Sequence, residues 1–189
     1  MRAPGTGDLQ NGRETMYKLA AIDIDDTLLD SNGNISPGTK AALAKAAERG
    51  VIITLATGRM YASAAAVAAE LGLDVPLITY QGSLIKHAGS GQVLYERHLP
   101  PEAAERIFEY CEEAGLHLQA YVNDRLYVRE DNEKTRLYCS ISKIPFTVEP
   151  DFASIIKLPQ TKLLIIDDPA VLDPLLEHFA TLFGRDVVV

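Results

Sequence analysis

Two aspartates one residue apart, Asp23 and Asp25, interrupt the apolar segment Leu19–Asp30, LAAIDIDDTLLD, and Asp26 and Thr27 follow at once. In an extended strand alternate side chains share a face, so both carboxylates start on the same side, where strand gives way to loop. Carboxylates that close raise each other's pKa unless a cation sits between them or one keeps its proton. Either solution is chemically useful. The first is a divalent-metal site, and the second is a nucleophile paired with a general acid. An Asp-rich turn is also common without chemistry, because Asp favours turns and helix N-caps. The strand before it separates the two readings. It carries no charge, as expected of a strand buried on both faces of a parallel sheet. A buried strand ending in three carboxylates is costly unless they find partners.

The elements that must position these groups follow in a regular order. Leu19–Ile24 reads as a first strand. Ser36-Pro37 begins a helix, with Ser as N-cap and Pro at the first helical position. Ala41, Ala42, Leu43, Ala46 and Ala47 carry that helix, and Gly50 stops it. Val51–Ala56 is a second apolar strand, Thr57-Gly58-Arg59 leads into an alanine-rich helix ending near Gly72, and Leu77–Tyr80 is a third strand. This β-α-β-α-β order predicts a parallel sheet with right-handed crossovers. It places Asp23 and Thr57 at the carboxyl ends of strands, the edge where open α/β sheets bind ligands. Thr57 taken alone reads as an N-cap. Beside the aspartates, phosphate binding explains it better: a hydroxyl and helix N-terminal N–H groups hold phosphoryl oxygens well.

Composition bounds the rest. The 189 residues suffice for one ordinary domain or two small ones. The net charge of −8 excludes a nucleic-acid backbone as the main partner. An acidic protein that handles phosphate esters needs local positive charge, and a metal supplies it. No apolar stretch approaches the roughly 18 residues of a membrane-spanning helix. Cys111 and Cys139 match no zinc spacing, and two unpaired thiols fit a reducing cytoplasm. Residues 1–15 are polar and turn-rich, without the apolar segment of a signal peptide, and are expected to be a disordered tail.

DIDDTLLD, followed about thirty residues later by LATGR, resembles the haloacid dehalogenase (HAD) superfamily, and most closely its Cof-type phosphatases with a large cap inserted after the third strand. ITYQGSLI resembles the point where those proteins leave the core for the cap. The resemblance implies an α/β fold: a partial Rossmann-like core, residues 16–82, plus an inserted α+β cap, residues 83–189. It implies that Asp23 is the nucleophile that becomes an aspartyl phosphate and Asp25 the general acid/base. Magnesium would take a carboxylate oxygen of Asp23 and the backbone carbonyl of Asp25. Thr57 and Gly58, with the backbone N–H of Asp26, would hold the phosphate. Many relatives have Gly at position 26, although Asp occurs there too. Arg59 reads equally as a residue orienting the site and as a helix-surface arginine.

The remaining pattern fits such a cap. Leu84–His87 and Gln92–Arg97 suggest a hairpin. Pro100-Pro101 opens a helix with Ile107, Phe108 and Cys111 inward, closing near Gly115. Leu116–Val122 and Leu126–Arg129 flank Asn123-Asp124 as a second hairpin. A helix over Glu133–Ser142, a strand over Thr161–Ile166 and a helix over Pro169–Phe183 follow, with Leu172, Leu175, Leu176, Phe179 and Leu182 on the last helix's apolar face. Val187–Val189 starts another strand. His87, His98, His117 and His178 have no ligand spacing and read as surface or packing residues. Tyr121, Asn123 and Arg125 read either as substrate contacts or as ordinary turn residues.

Two further features of the resemblance, a lysine and a pair of acids on a return segment to the core, have no counterpart; Lys157, Lys162 and Asp167-Asp168 lie in the cap pattern. The expectation is therefore a shortened chain with weak or no activity and an exposed first strand prone to self-association. The expected function is magnesium-dependent hydrolysis of small phosphorylated metabolites in the cytoplasm. The alternatives are a non-catalytic ligand- or partner-binding fragment and a receiver domain, which would share the acidic strand end but not the inserted cap.

Overall fold

The structure is a computed structural model that describes residues 17–184 and 187–188. The expected N-terminal tail and the last residue of the expected final strand lie outside the described residues; Val187 and Val188 are not in a strand.

Two sheets organise the chain's front part. β1 (Leu19–Ile22) runs parallel to β2 (Ile52–Leu55), with Leu19 opposite Ile52 and Ile22 opposite Leu55. β3 (Pro76–Thr79) continues the parallel arrangement through a bridge between Ala56 and Ile78. The crossovers are α1 (Pro37–Glu48) and α2 (Tyr61–Glu70). Ser36 Oγ accepts from Thr39 N at 3.0 Å, the N-cap its position before Pro37 predicts. Ile24, Leu28, Leu55, Ala64, Ala68 and Leu77 form the apolar layer beneath the parallel strands.

β1 departs from one expectation and meets another. It is not buried on both faces: Leu19 is 55% exposed, and Tyr17 and Ile52 beside it are also open. Among the described residues β1 pairs with β2 alone, which is the open edge the sequence led us to expect.

β4 (Leu84–His87) and β5 (Val93–Glu96) form the expected hairpin. It extends the sheet of β3, to which β4 pairs antiparallel, and does not join the cap sheet.

The cap sheet has the order β8 (Phe146–Val148), β7 (Arg125–Val128), β6 (Leu118–Val122), β9 (Lys162–Ile165). Alternation along β6 splits its two faces. Leu118, Ala120 and Val122 face α3 (Pro101–Ala114), α5 (Phe152–Ile156) and α6 (Pro169–Phe183), in a cluster with Ile107, Cys111, Phe152, Leu175 and Phe179. Tyr121 faces the other way, into a cluster with Cys139 of α4 (Glu133–Ser142) and with Met60 and Tyr80 from the front part of the chain. This second cluster is where cap and core meet. In α6 the apolar face is rotated from the expected one: Leu176 is largely exposed and Phe183 is buried.

Candidate active site

The strand end projects its acids by simple alternation. Asp23 and Asp25 are extended, with ψ of 152° and 137°. Ile24 between them is fully buried, so both carboxylates are turned outward. Asp26 then turns the chain at φ 55°, a left-handed conformation that Asp tolerates better than most residues, and Leu29 N closes the loop on the Ile24 carbonyl at 3.0 Å. Asp23, Asp25, Asp26 and Thr27 are all exposed.

Thr57 lies at the end of β2, one strand over, and is buried. Its N–H donates to the Ile78 carbonyl at 2.9 Å, and its Oγ1 accepts from Arg59 N at 3.2 Å. That bond leaves the hydroxyl proton unused. Thr57 is not the N-cap of α2; Met60 holds that position and offers no side-chain acceptor. Gly58 sits at a close approach to a side chain. A Cβ there would stand 2.6 Å from Gln81 Nε2, in the segment where the chain leaves the parallel strands.

Arg59 joins the two loops. Its Nε and Nη2 donate to Asp25 Oδ2 and Oδ1 at 2.9 and 2.6 Å, a bidentate pair, and its Nη1 donates to Ser63 Oγ at 3.3 Å. Of the two readings of Arg59, the geometry favours the one that places it in the site. The hydrogen bonds from Arg59 hold the Asp25 carboxyl below the usual carboxylate range, against the opposing effect of partial burial. Asp23 also lies close enough for its charge to act on the same guanidinium. The strand end and the Thr57–Arg59 loop therefore converge on one patch.

Among the described residues no group of three or more His, Cys, Asp or Glu side chains is arranged to hold a metal. The donor chemistry at the strand end nevertheless suits magnesium. Asp23 offers a carboxylate outside the ion pair and Asp25 a main-chain carbonyl. Magnesium commonly takes one or two carboxylates and keeps several waters.

The cap also brings side chains towards this region. Lys162 Nζ donates to the Gly58 carbonyl at 3.3 Å, and burial pulls its pKa down. Tyr121 donates its hydroxyl to that of Tyr138 at 2.9 Å. Asp124 reaches the start of α2. In sequence Lys162 reads as part of the cap pattern; its register opposite Tyr121 in an inward-facing row is the signal that points to the site. The four histidines behave as expected: His117 hydrogen-bonds Thr135 Oγ1 at 2.8 Å, His178 packs on Tyr110, and His87 and His98 lie beside Asp74 and Glu96. Cys111 and Cys139 are free and buried.

A family model of haloacid dehalogenase-like hydrolases matches residues 20–189. A protein of Serratia proteamaculans named HMP-PP phosphatase is 38% identical over 105 residues, which are 54% of this chain and 38% of that protein. A crystal structure from Thermotoga maritima superposes with a TM-score of 0.75 at 34% identity, over 90% of this chain and 64% of that one. A haloacid dehalogenase-like hydrolase from Bacteroides thetaiotaomicron superposes with a TM-score of 0.79 at 25% identity, over 90% of this chain and 65% of that one. The chain thus spans about two thirds of those solved structures, and its match to the Serratia protein spans well under half of that protein.

Proposed function

The chain belongs to the haloacid dehalogenase-like hydrolase family, and we propose that its site hydrolyses phosphoric monoesters of small metabolites, with magnesium, through an aspartyl-phosphate intermediate. The observation that carries the reading is the convergence of Asp23, Asp25 and the Thr57-Gly58-Arg59 loop at the carboxyl ends of β1 and β2.

In this reading a carboxylate oxygen of Asp23 attacks phosphorus, and the ester oxygen leaves. Asp25 gives that oxygen its proton and then takes one from the attacking water. The Arg59 pair favours ionised Asp25, the form that activates water, so the first step requires the pair to loosen as substrate arrives. The Thr57 hydroxyl and the N–H groups of Asp26 and Gly58 hold phosphoryl oxygens. Bound magnesium, held by the Asp23 carboxylate and the Asp25 carbonyl, would offset the charge gathered between nucleophile and phosphate. The name of the Serratia relative supports a small phosphorylated metabolite as substrate. The Lys162 contact with the Gly58 carbonyl supports a cap contribution to the same loop.

A cytoplasmic setting is supported by the two free thiols. Among the described residues no helix is long and apolar enough to cross a membrane. A second reading, a non-catalytic module that binds a ligand or its own kind, is favoured by the open edge of β1.

Hydrolysis of an aryl phosphate, with and without magnesium and beside Asp23→Asn, separates these. Turnover that needs both metal and Asp23 supports the phosphatase reading. Metal-independent turnover insensitive to Asp23→Asn removes the nucleophile assignment.

A further inference from the structure

The turn between β6 and β7 places an acid where the front part of the chain needs one. Asn123 and Asp124 both have positive φ, 50° and 58°, the geometry of a tight hairpin whose second position usually carries Gly. Asp124 departs from that rule, and its carboxylate lands on another element. Its Oδ1 accepts from Tyr61 N at 2.9 Å and from the Tyr80 hydroxyl at 2.8 Å, and its Oδ2 accepts from Ala62 N at 3.1 Å. Tyr61 and Ala62 are the first two residues of α2, whose own N-cap residue, Met60, provides no acceptor. Helix starts leave such N–H groups unpaired, and their positive end favours a carboxylate. The cap therefore caps a helix of the core. Tyr80 stands at the exit towards the cap, with φ 51°, and its N–H donates to the Arg59 carbonyl at 3.0 Å.

Two other cap contacts fall on the same short stretch. Lys162 Nζ donates to the Gly58 carbonyl, and Ser63 Oγ donates to the Ser142 carbonyl at the end of α4, at 3.2 Å. All three ties end between Gly58 and Ser63, directly after Thr57.

We infer that Asp124 is a positioning residue of the phosphate site: by capping α2 and holding Tyr80, it fixes the Thr57–Arg59 loop and couples cap seating to phosphate binding. The inference rests on the phosphate-site reading above. Coupling of this kind is reciprocal, so phosphate bound at Thr57 also strengthens the seating of the cap. Asp124 touches no reacting atom in this scheme; it acts through the helix that carries the loop.

The test is Asp124→Gly, which deletes the carboxylate while allowing the positive φ of the turn. Two quantities are read in the full chain with magnesium present: amide hydrogen exchange at Tyr61 and Ala62, and affinity for inorganic phosphate by calorimetry. The expected result is exchange at these amides at least tenfold faster, and phosphate affinity at least fivefold weaker. Asp124→Asn, which keeps one acceptor oxygen, should fall between, and Tyr80→Phe should weaken phosphate binding less than Asp124→Gly. Faster exchange with unchanged phosphate affinity would overturn the positioning role while leaving the phosphate site standing. Unchanged exchange would overturn the trans-capping itself. A wild-type chain that binds no phosphate would overturn the site reading and the positioning role together. Asn123→Gly, in the same turn, should change neither quantity; if it reproduces Asp124→Gly, the effect belongs to the turn and the inference fails.

Discussion

β6 and β1 are both short strands, β1 wholly apolar and β6 apolar but for Gln119, yet all five residues of β6 are buried and none of β1 is. β6 lies between two strands, with helices on both faces of its sheet, whereas β1 has one neighbour among the described residues. The difference separates stability from chemistry. The cap carries a self-sufficient core of buried side chains. The strand that delivers Asp23 and Asp25 is held by β2 and by buried Ile24 and Leu28. A damaged cap should unfold, while a damaged strand end should stay folded and lose chemistry.

Substitutions can break that comparison. The largest expected effect is Asp25→Ala, which removes the proposed acid/base and should lower magnesium-dependent turnover by about 10²–10⁴-fold. Asp25 is exposed, so the melting temperature should barely move. A large drop in melting temperature would mean that the acid serves the fold. Next is Leu126→Ala in β7, a buried residue whose truncation should cost about 2–5 kcal/mol by denaturant titration. Leu19→Ala in β1 should cost less than about 1 kcal/mol in the same assay. Equal costs would erase the contrast between the two regions. Smaller still is Gly58→Ala. The new methyl meets the mobile end of Gln81, so the chain should fold normally and bind phosphate a few-fold less tightly.

The smallest effect concerns pH. Burial lowers the pKa of His117 in the cap, against the charge of Glu130 and with the help of Lys134 and Arg129. With the folded pKa below the unfolded value of 6.5, the unfolded state binds more protons in the window between them. Stability is then complete above that window and falls as pH drops through it. The group is partly solvated, so the loss should stay under about 1 kcal/mol. His117→Gln should flatten that slope for cap unfolding; an unchanged slope would assign it to other groups.

Much of this was legible in the sequence because the responsible signals are local. Ser36-Pro37 announces α1, Gly115 ends α3, and Asn132 starts α4 through its bond to Thr135 N. The acidic strand end and Thr57-Gly58 are read by spacing alone. β8 and α5 were missed; at three and five residues they show too little periodicity, and packing against the sheet decides them. Asp124 was overlooked although Tyr121, Asn123 and Arg125 around it were singled out. Its partners lie up to 63 residues away, which no window along the chain can see. The non-glycine second residue of its turn was the one local hint. Arg59 and Lys162 were undecided or set aside for the same reason: the contacts that place them are with Asp25 and Gly58, on separate loops.

The proposed nucleophile can be tested directly by trapping the intermediate. The chain is incubated with an aryl phosphate and magnesium, quenched, and treated with borohydride, which reduces an acyl phosphate to an alcohol. Mass spectrometry of the peptide containing Leu19–Asp30 should then find homoserine at position 23 and unchanged aspartate at positions 25 and 26. Reduction at another residue, or turnover that persists in Asp23→Asn with no trapped species, would contradict the assignment.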